Sequence, residues 1–215
     1  MLGLMPPGEA GHAYIRLTPA GPQDTIRIRA YAADPATGLV CPHQSGMISF
    51  FSVPFSGRRL LAPAPDGRVA VAWSGDYRIA IITPAGDTVR VIERAYTAEP
   101  ITDDEWTTAT AEYRQFQTDS PGVRCDPLGM TRPERKAALQ GLYFTHEGDL
   151  VAEVTVAGGV RYDIYDGDGV TRSTVLAPTR DPSVAPHFRD GRVAQVALDD
   201  FDVQYVQVLE IGPQD

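Results

Sequence analysis

The stretch Asp199-Asp200-Phe201-Asp202 sets three carboxylates close together in the sequence. Three carboxylates within four residues can hold a cation or act as acid and base once the backbone turns them to one side. A thinner stretch, Ser74-Gly75-Asp76-Tyr77, sets a carboxylate beside a phenol. The four histidines, His12, His43, His146 and His187, are dispersed without i, i+4 pairing, so the sequence predicts no metal site from them. Asp166-Gly167-Asp168-Gly169 resembles the opening of a calcium loop, but the third acid and the distal Glu are absent, and it reads as a hairpin turn. The chain contains no G-x-S-x-G, Walker A, G-x-G-x-x-G, C-x-x-C or H-E-x-x-H pattern. No cofactor is expected, and no catalytic residue is assigned.

The elements that must position these side chains come from an internal repeat. Thr18-Pro19-Ala20-Gly21 recurs as Thr83-Pro84-Ala85-Gly86, and each copy is followed by an alternating run, Thr25 to Arg29 and Thr88 to Val91. Period two with β-branched residues is a half-buried strand. Asp66-Gly67-Arg68-Val69 recurs as Asp190-Gly191-Arg192-Val193, with Glu147-Gly148-Asp149-Leu150 as a looser copy. Asp-Gly between apolar runs marks a hairpin.

These signals predict strands at 60–64, 68–73, 77–82 and 87–92, then at 142–145, 149–154, 160–165 and 171–176. A third set covers 187–188, 192–198 and 203–211, and a fourth keeps only 12–18 and 24–31. Repeated units of four short antiparallel strands are propeller blades. A blade cannot bury both of its faces alone, so the units need one another. The fold class expected is all-β: a β-propeller of about four blade-like units in a single domain over 1–215. Asp76-Tyr77 and Asp199-Asp200-Asp202 then occupy the same hairpin of different blades. Equivalent loops map to one face, so these side chains form a candidate ligand site there.

The stretch from Val53 to Ile92 resembles the NHL-type repeat of six-bladed β-propellers, through Pro54, Asp66-Gly67, Val69–Trp73, Arg78-Ile79 and Gly86. It is similar also to bacterial six-bladed propellers of unassigned function. The resemblance implies a ring of six blades, and at about 40–45 residues per blade this chain is incomplete relative to it. Gluconolactonase-like propellers use Glu, Asp and Asn around a metal. This sequence has no Asn, so that shell cannot be copied here.

Residues 97–140 interrupt the blade rhythm and read as a helical insertion. Thr102 with Glu105 is a capping box, and Trp106, Ala109, Tyr113 and Phe116 share one helical face, which predicts a helix over 102–117. Thr131 with Glu134 predicts a second, shorter helix over 132–139. Trp106 and Tyr113 either dock the helix or present it as a lid over a ligand. Cys41 and Cys125 both fall in Pro-containing segments that leave an outer strand. Either they are two free thiols, or they form a disulfide that ties the insertion to the ring.

Net charge is −9, and 18 of the 19 basic residues are scattered arginines, Lys136 being the sole lysine. Such a field repels phosphate backbones and excludes nucleic acid as an expected partner. No apolar run reaches the ~18 residues of a membrane span. The opening MLGLMPPGEAGHAY lacks the basic and apolar regions of a secretory signal, so it predicts a cytosolic protein or a natural start elsewhere. Open blade edges predict self-association. The function expected is a non-catalytic module binding a protein or small ligand. The alternative is a hydrolase or lyase with an acidic, metal-assisted site.

Overall fold

A computed structural model of the protein describes residues 11–18, 21–29, 38–127, 129–199, 201 and 203–211. Two hairpins come first: β1 (Gly11–Thr18) with β2 (Gly21–Arg29), and β3 (Gly38–Pro42) with β4 (Ile48–Ser52). A four-stranded antiparallel sheet follows in sequence order: β5 (Arg59–Pro63), β6 (Val69–Trp73), β7 (Arg78–Ile82) and β8 (Thr88–Glu93). Helices α1 (Asp103–Ala109) and α2 (Ala111–Asp119) lead to a second such sheet. It comprises β9 (Leu139–Phe144), β10 (Leu150–Val156), β11 (Gly159–Tyr165) and β12 (Thr171–Ala177). The third sheet has β13 (His187–Arg189), β14 (Arg192–Leu198) and β15 (Gln204–Glu210). The fold is an incomplete β-propeller of stacked, blade-like antiparallel sheets.

The repeat sets which side chains face which neighbour. In β6, Val69 and Val71 turn to one face, and Ala70 and Ala72 turn to the other. Ala70 and Ala72 pack in one core with Leu139, Leu142, Leu150 and Ala152 of the second sheet. On the opposite face of that second sheet, Val151, Tyr162 and Ile164 pack with Phe188 and Val193 of the third. The second sheet is therefore buried on both sides, and six of the seven β10 residues are buried.

The repeated Asp-Gly makes two different turns. At Asp190-Gly191 both residues have positive φ, 49° and 67°, and Arg189 pairs directly with Arg192, giving a two-residue hairpin of type I′ character. At Asp66-Gly67 only Gly67 is left-handed, at 88°. Pro65 cannot adopt a positive φ, so the chain takes a longer loop in which the Gly67 N–H donates to the Ala64 carbonyl and the Ala64 N–H to that of Arg68.

Three expectations need correction. The first helix is two, broken at Thr110, whose hydroxyl donates to the Trp106 carbonyl one turn back at 2.7 Å and bends the chain. Residues 132–139 form no helix. Arg132 reaches Asp103 at 2.7 Å and the Ile101 carbonyl, the Lys136 N–H donates to Glu99 at 2.9 Å, and a bridge joins Arg135 to Pro100. These long-range bonds hold the segment extended against 98–101 and defeat its local capping signal. Cys41 lies in a strand, β3, whose inward residues are Leu39 and Cys41.

Val71→Ala removes two methyl groups from a fully buried site and should cost about 1–2 kcal/mol in chemical denaturation. Val89→Ala, at an exposed site on β8, should cost under about 0.5 kcal/mol. Equal losses would mean that the strand faces are misassigned.

Glu105 accepts from Lys136 Nζ at 2.6 Å and from the Thr102 N–H at 2.9 Å, which lowers its carboxyl from 4.5 to about 2. A folded-state value below the unfolded one adds stability that is fully present above pH 4.5 and lost as the pH falls towards 2. Acid titration followed by circular dichroism should show Glu105→Gln losing less stability over that window than the wild type. Identical titrations would remove Glu105 from the account.

Candidate functional site

Two carboxylates stand out because they are buried within strands: Glu153 in β10 and Asp163 in β11. The β10–β11 register pairs Glu153 with Tyr162 and Ala152 with Asp163, so the two carboxylates project to opposite faces of the sheet. Asp163 faces the first sheet and is fully buried. It accepts the Tyr77 hydroxyl at 2.6 Å, Arg161 at 2.8 and 2.9 Å, and Thr174 at 3.1 Å, with Arg94 at 3.2 Å. Burial, followed by the bond to Asp163, pushes the Tyr77 phenol well above its ordinary 10.0.

Glu153 faces the third sheet. Arg180 donates to both of its oxygens at 2.8 Å, and the Tyr143 hydroxyl donates at 2.7 Å. Arg180 also donates to Tyr143, to the carbonyls of Asp181 and Val184, and is itself 8% exposed in its side chain. Burial raises the Tyr143 phenol, and the Glu153 charge adds to the effect. Beside this pair, Tyr162 donates to Gln195 of β14 at 2.9 Å.

Tyr143 connects this buried pair to a groove. Leu61, Ala62 and Pro63 of β5, Leu142 to His146 at the end of β9, and Pro186 to Phe188 at β13 enclose about 460 Å³. These are the first strands of the three successive sheets. Gly141 leaves the space in which the Tyr143 ring lies, since a Cβ there would strike the phenol. The walls combine aliphatic and aromatic side chains with polar groups, the exposed His146 and His187 among them. A groove of this volume suits a small ligand.

The residues singled out from the sequence fall in separate surroundings. Asp76 is exposed in the β6–β7 turn, beside a shallow depression of about 440 Å³ that Arg78, Glu93 and Arg94 also line. Tyr77 is buried on Asp163 and Tyr165. Trp106 and Tyr113 pack with Leu39, Phe51 and the Cys41–Cys125 disulfide, so α1 and α2 dock on the β3–β4 hairpin. Asp199 caps its own turn, accepting the N–H groups of Phe201 and Val203 at 2.9 Å. Asp200 and Asp202 lie outside the described residues. Among the described residues no three His, Cys, Asp or Glu side chains are placed to hold a metal ion.

Sequence reasoning missed Glu153, Asp163, Arg180 and the groove. The signal for the two acids was present: a lone carboxylate in Leu150–Val156, and another in Gly159–Tyr165. In strands this apolar, each must meet a partner. His146 and His187 are far apart in sequence, and only the stacking of the sheets brings them to one groove.

No protein-family model matches the chain, and no curated protein matches it in sequence. Among solved structures it is similar to virginiamycin B lyase from Staphylococcus aureus, at 10% identity over 99% of this chain and 85% of the other, with a TM-score of 0.26. A catalytically inactive variant of that lyase with quinupristin aligns at 11% identity over 94% and 76%, with a TM-score of 0.24. A protein of unknown function from Bacteroides caccae aligns at 11% identity over 81% and 73%, also at 0.24.

Arg180→Met leaves Glu153 buried without its cation and should destabilise by about 3–5 kcal/mol. The double variant Glu153→Leu/Arg180→Met should regain most of that loss, because two apolar side chains need no compensation there. Additive losses in denaturant titrations would contradict the pairing.

Proposed function

We propose that the protein is a ligand-binding propeller module whose ligand occupies the groove along β5, β9 and β13. The observation that supports this reading is the joint lining of one concave site, part polar and part apolar, by the first strands of three sheets. Such a groove favours a small molecule or short peptide whose aromatic part packs on the Tyr143 and Phe188 rings and whose polar part meets His146 and His187. The NHL-type pattern of the repeats is in keeping with a binding role on a six-bladed scaffold of bacterial type. A buried disulfide between Cys41 and Cys125 suits a protein that matures in an oxidising compartment.

A hydrolase or lyase is the second reading. Two imidazoles at one groove favour it, since His is the side chain that exchanges protons near neutral pH.

Ligand-observed NMR with a set of aromatic carboxylic acids and aromatic dipeptides tests the groove. His187→Glu places a carboxylate at an exposed position of the groove and should weaken carboxylate probes by about tenfold or more. Equal binding to the wild type and to this variant would place the probes elsewhere. A divalent-metal thermal-shift screen, with turnover of ester and lactone probes, separates the readings: turnover lost in His146→Ala would favour the enzyme.

A further inference from the structure

The insertion between the first two sheets is held in two different ways. At its base, residues 98–105 are tied to 132–136. Arg132 donates to Asp103 at 2.7 Å, Lys136 to Glu105 at 2.6 Å, and Arg135 to the Ala98 carbonyl at 2.8 Å. This base runs directly into β9, where the Leu139 N–H donates to Ser74 of the first sheet at 2.9 Å. The distal part is held otherwise. Among the described residues, Trp106, Tyr113, Phe116, Val123, Cys125 and Met130 gather in one cluster with the β3–β4 hairpin. That cluster shares no residue with those formed within and between the sheets.

The disulfide is the centre of the distal cluster. Two of its five buried residues are Cys41 and Cys125 themselves. Phe51 meets the Tyr113 and Phe116 rings at 5.2 and 4.8 Å between centroids, but Phe51 and Phe116 are only half-buried. Beside the disulfide, Val40 and Asp126 exchange main-chain hydrogen bonds of 3.0 and 2.8 Å. Neither side stands well alone. Helices shorter than about 12–15 residues are marginal in water, and α1 and α2 have seven and nine. A lone two-stranded hairpin is marginal too. Each side therefore depends on the other, and the sulfur bridge is what keeps them together.

We propose that Cys41 and Cys125 form a redox latch. Oxidation docks α1 and α2 on the β3–β4 hairpin, reduction releases them, and the three stacked sheets stay folded in both states. The exchange partner is a dithiol. One of its thiolates attacks the sulfur of Cys125, which is 9% exposed where Cys41 is fully buried, and Cys41 leaves as the thiolate. The second thiol of the reductant then attacks its own sulfur in the mixed disulfide, and Cys125 leaves. Two electrons pass to the cysteine pair, the reductant becomes a cyclic disulfide, and its two thiol protons end on Cys41 and Cys125. Closure is the reverse exchange. The ion pairs at the base contain no sulfur, so the released segment stays anchored at 98–105 and 132–136. The latch does not rest on the groove reading, since β5, β9 and β13 supply the groove.

Hydrogen exchange of the full chain with and without dithiothreitol tests it, with thiol alkylation and intact mass reporting the redox state. On reduction, the amides of 39–41, 48–52 and 111–119 should exchange about a hundredfold faster or more. Those of 69–73 and 150–156 should keep their protection. Re-oxidation should restore the first pattern. The double variant Cys41→Ser/Cys125→Ser should show the released pattern whether or not dithiothreitol is present. The proposal is overturned if the reduced chain keeps its protection at 39–52 and 111–119, or if the sheets lose theirs together with the insertion. A double variant whose sheets do not fold overturns it, as does a bond that the dithiol reduces only after the whole chain is denatured.

Discussion

Burial of the second four-stranded sheet on both faces is the constraint on which the rest of the structure depends. A doubly buried strand has no solvated side to which a polar residue can turn. Every charge in it must be matched from a neighbouring element, or it costs several kcal/mol. Glu153 and Asp163 are such charges, set on opposite faces by the β10–β11 register. Tyr77 and Arg94 reach Asp163 from the first sheet and its end, and Arg180 reaches Glu153 from the approach to the third. Apolar faces built of Ala, Val and Leu tolerate sliding past one another. A carboxylate held by a tyrosine and an arginine, or by a tyrosine and two arginines, is satisfied in one register, so the two networks pin the order and alignment in which the sheets stack.

The parts of this fold legible in the sequence are those decided locally. Strands 69–73 and 192–198 alternate, repeat and follow an Asp-Gly turn, and their bounds differ from expectation by a residue or less. The Thr102–Glu105 capping box acts within one helical turn and forms as its spacing implies. The identical signal at Thr131–Glu134 fails because Arg132, Arg135 and Lys136 find partners about thirty residues back. The β3–β4 hairpin escaped notice because its two five-residue strands stand outside the repeat. Tyr77 was expected at the ligand face and is instead buried, because its partner Asp163 is 86 positions away.

Residues 38–53, 103–127 and 129–130 form a second, smaller assembly with its own logic. Leu39, Cys41 and Val53 from the hairpin side meet Tyr113 and Cys125 from the helical side, five buried residues against fifteen in the cluster between the first and second sheets. Val40 and Asp126 exchange both main-chain hydrogen bonds beside the Cys41–Cys125 disulfide. A core this small gives little hydrophobic stabilisation, and a covalent tie across 84 residues of sequence offsets that by restricting the unfolded chain. The aromatic side chains of the helices are spent on this cluster, which explains why Trp106 and Tyr113 are not offered to the groove.

The groove owes its shape to the same stacking. Its walls come from three sheets, so any slip between them alters all of its sides together. Tyr143 makes the coupling specific: its ring lines the groove, while its hydroxyl donates to the Glu153 that Arg180 holds against the third sheet. Phe188 contributes from the other side, packing on Tyr143 and on Tyr162 within the same interface. A ligand that contacts Tyr143 and Phe188 therefore binds only the stacked arrangement, and by mass action it adds its binding free energy to the stability of that interface. For such a ligand, binding and the packing of the second sheet on the third would be one equilibrium, read at two places in the molecule.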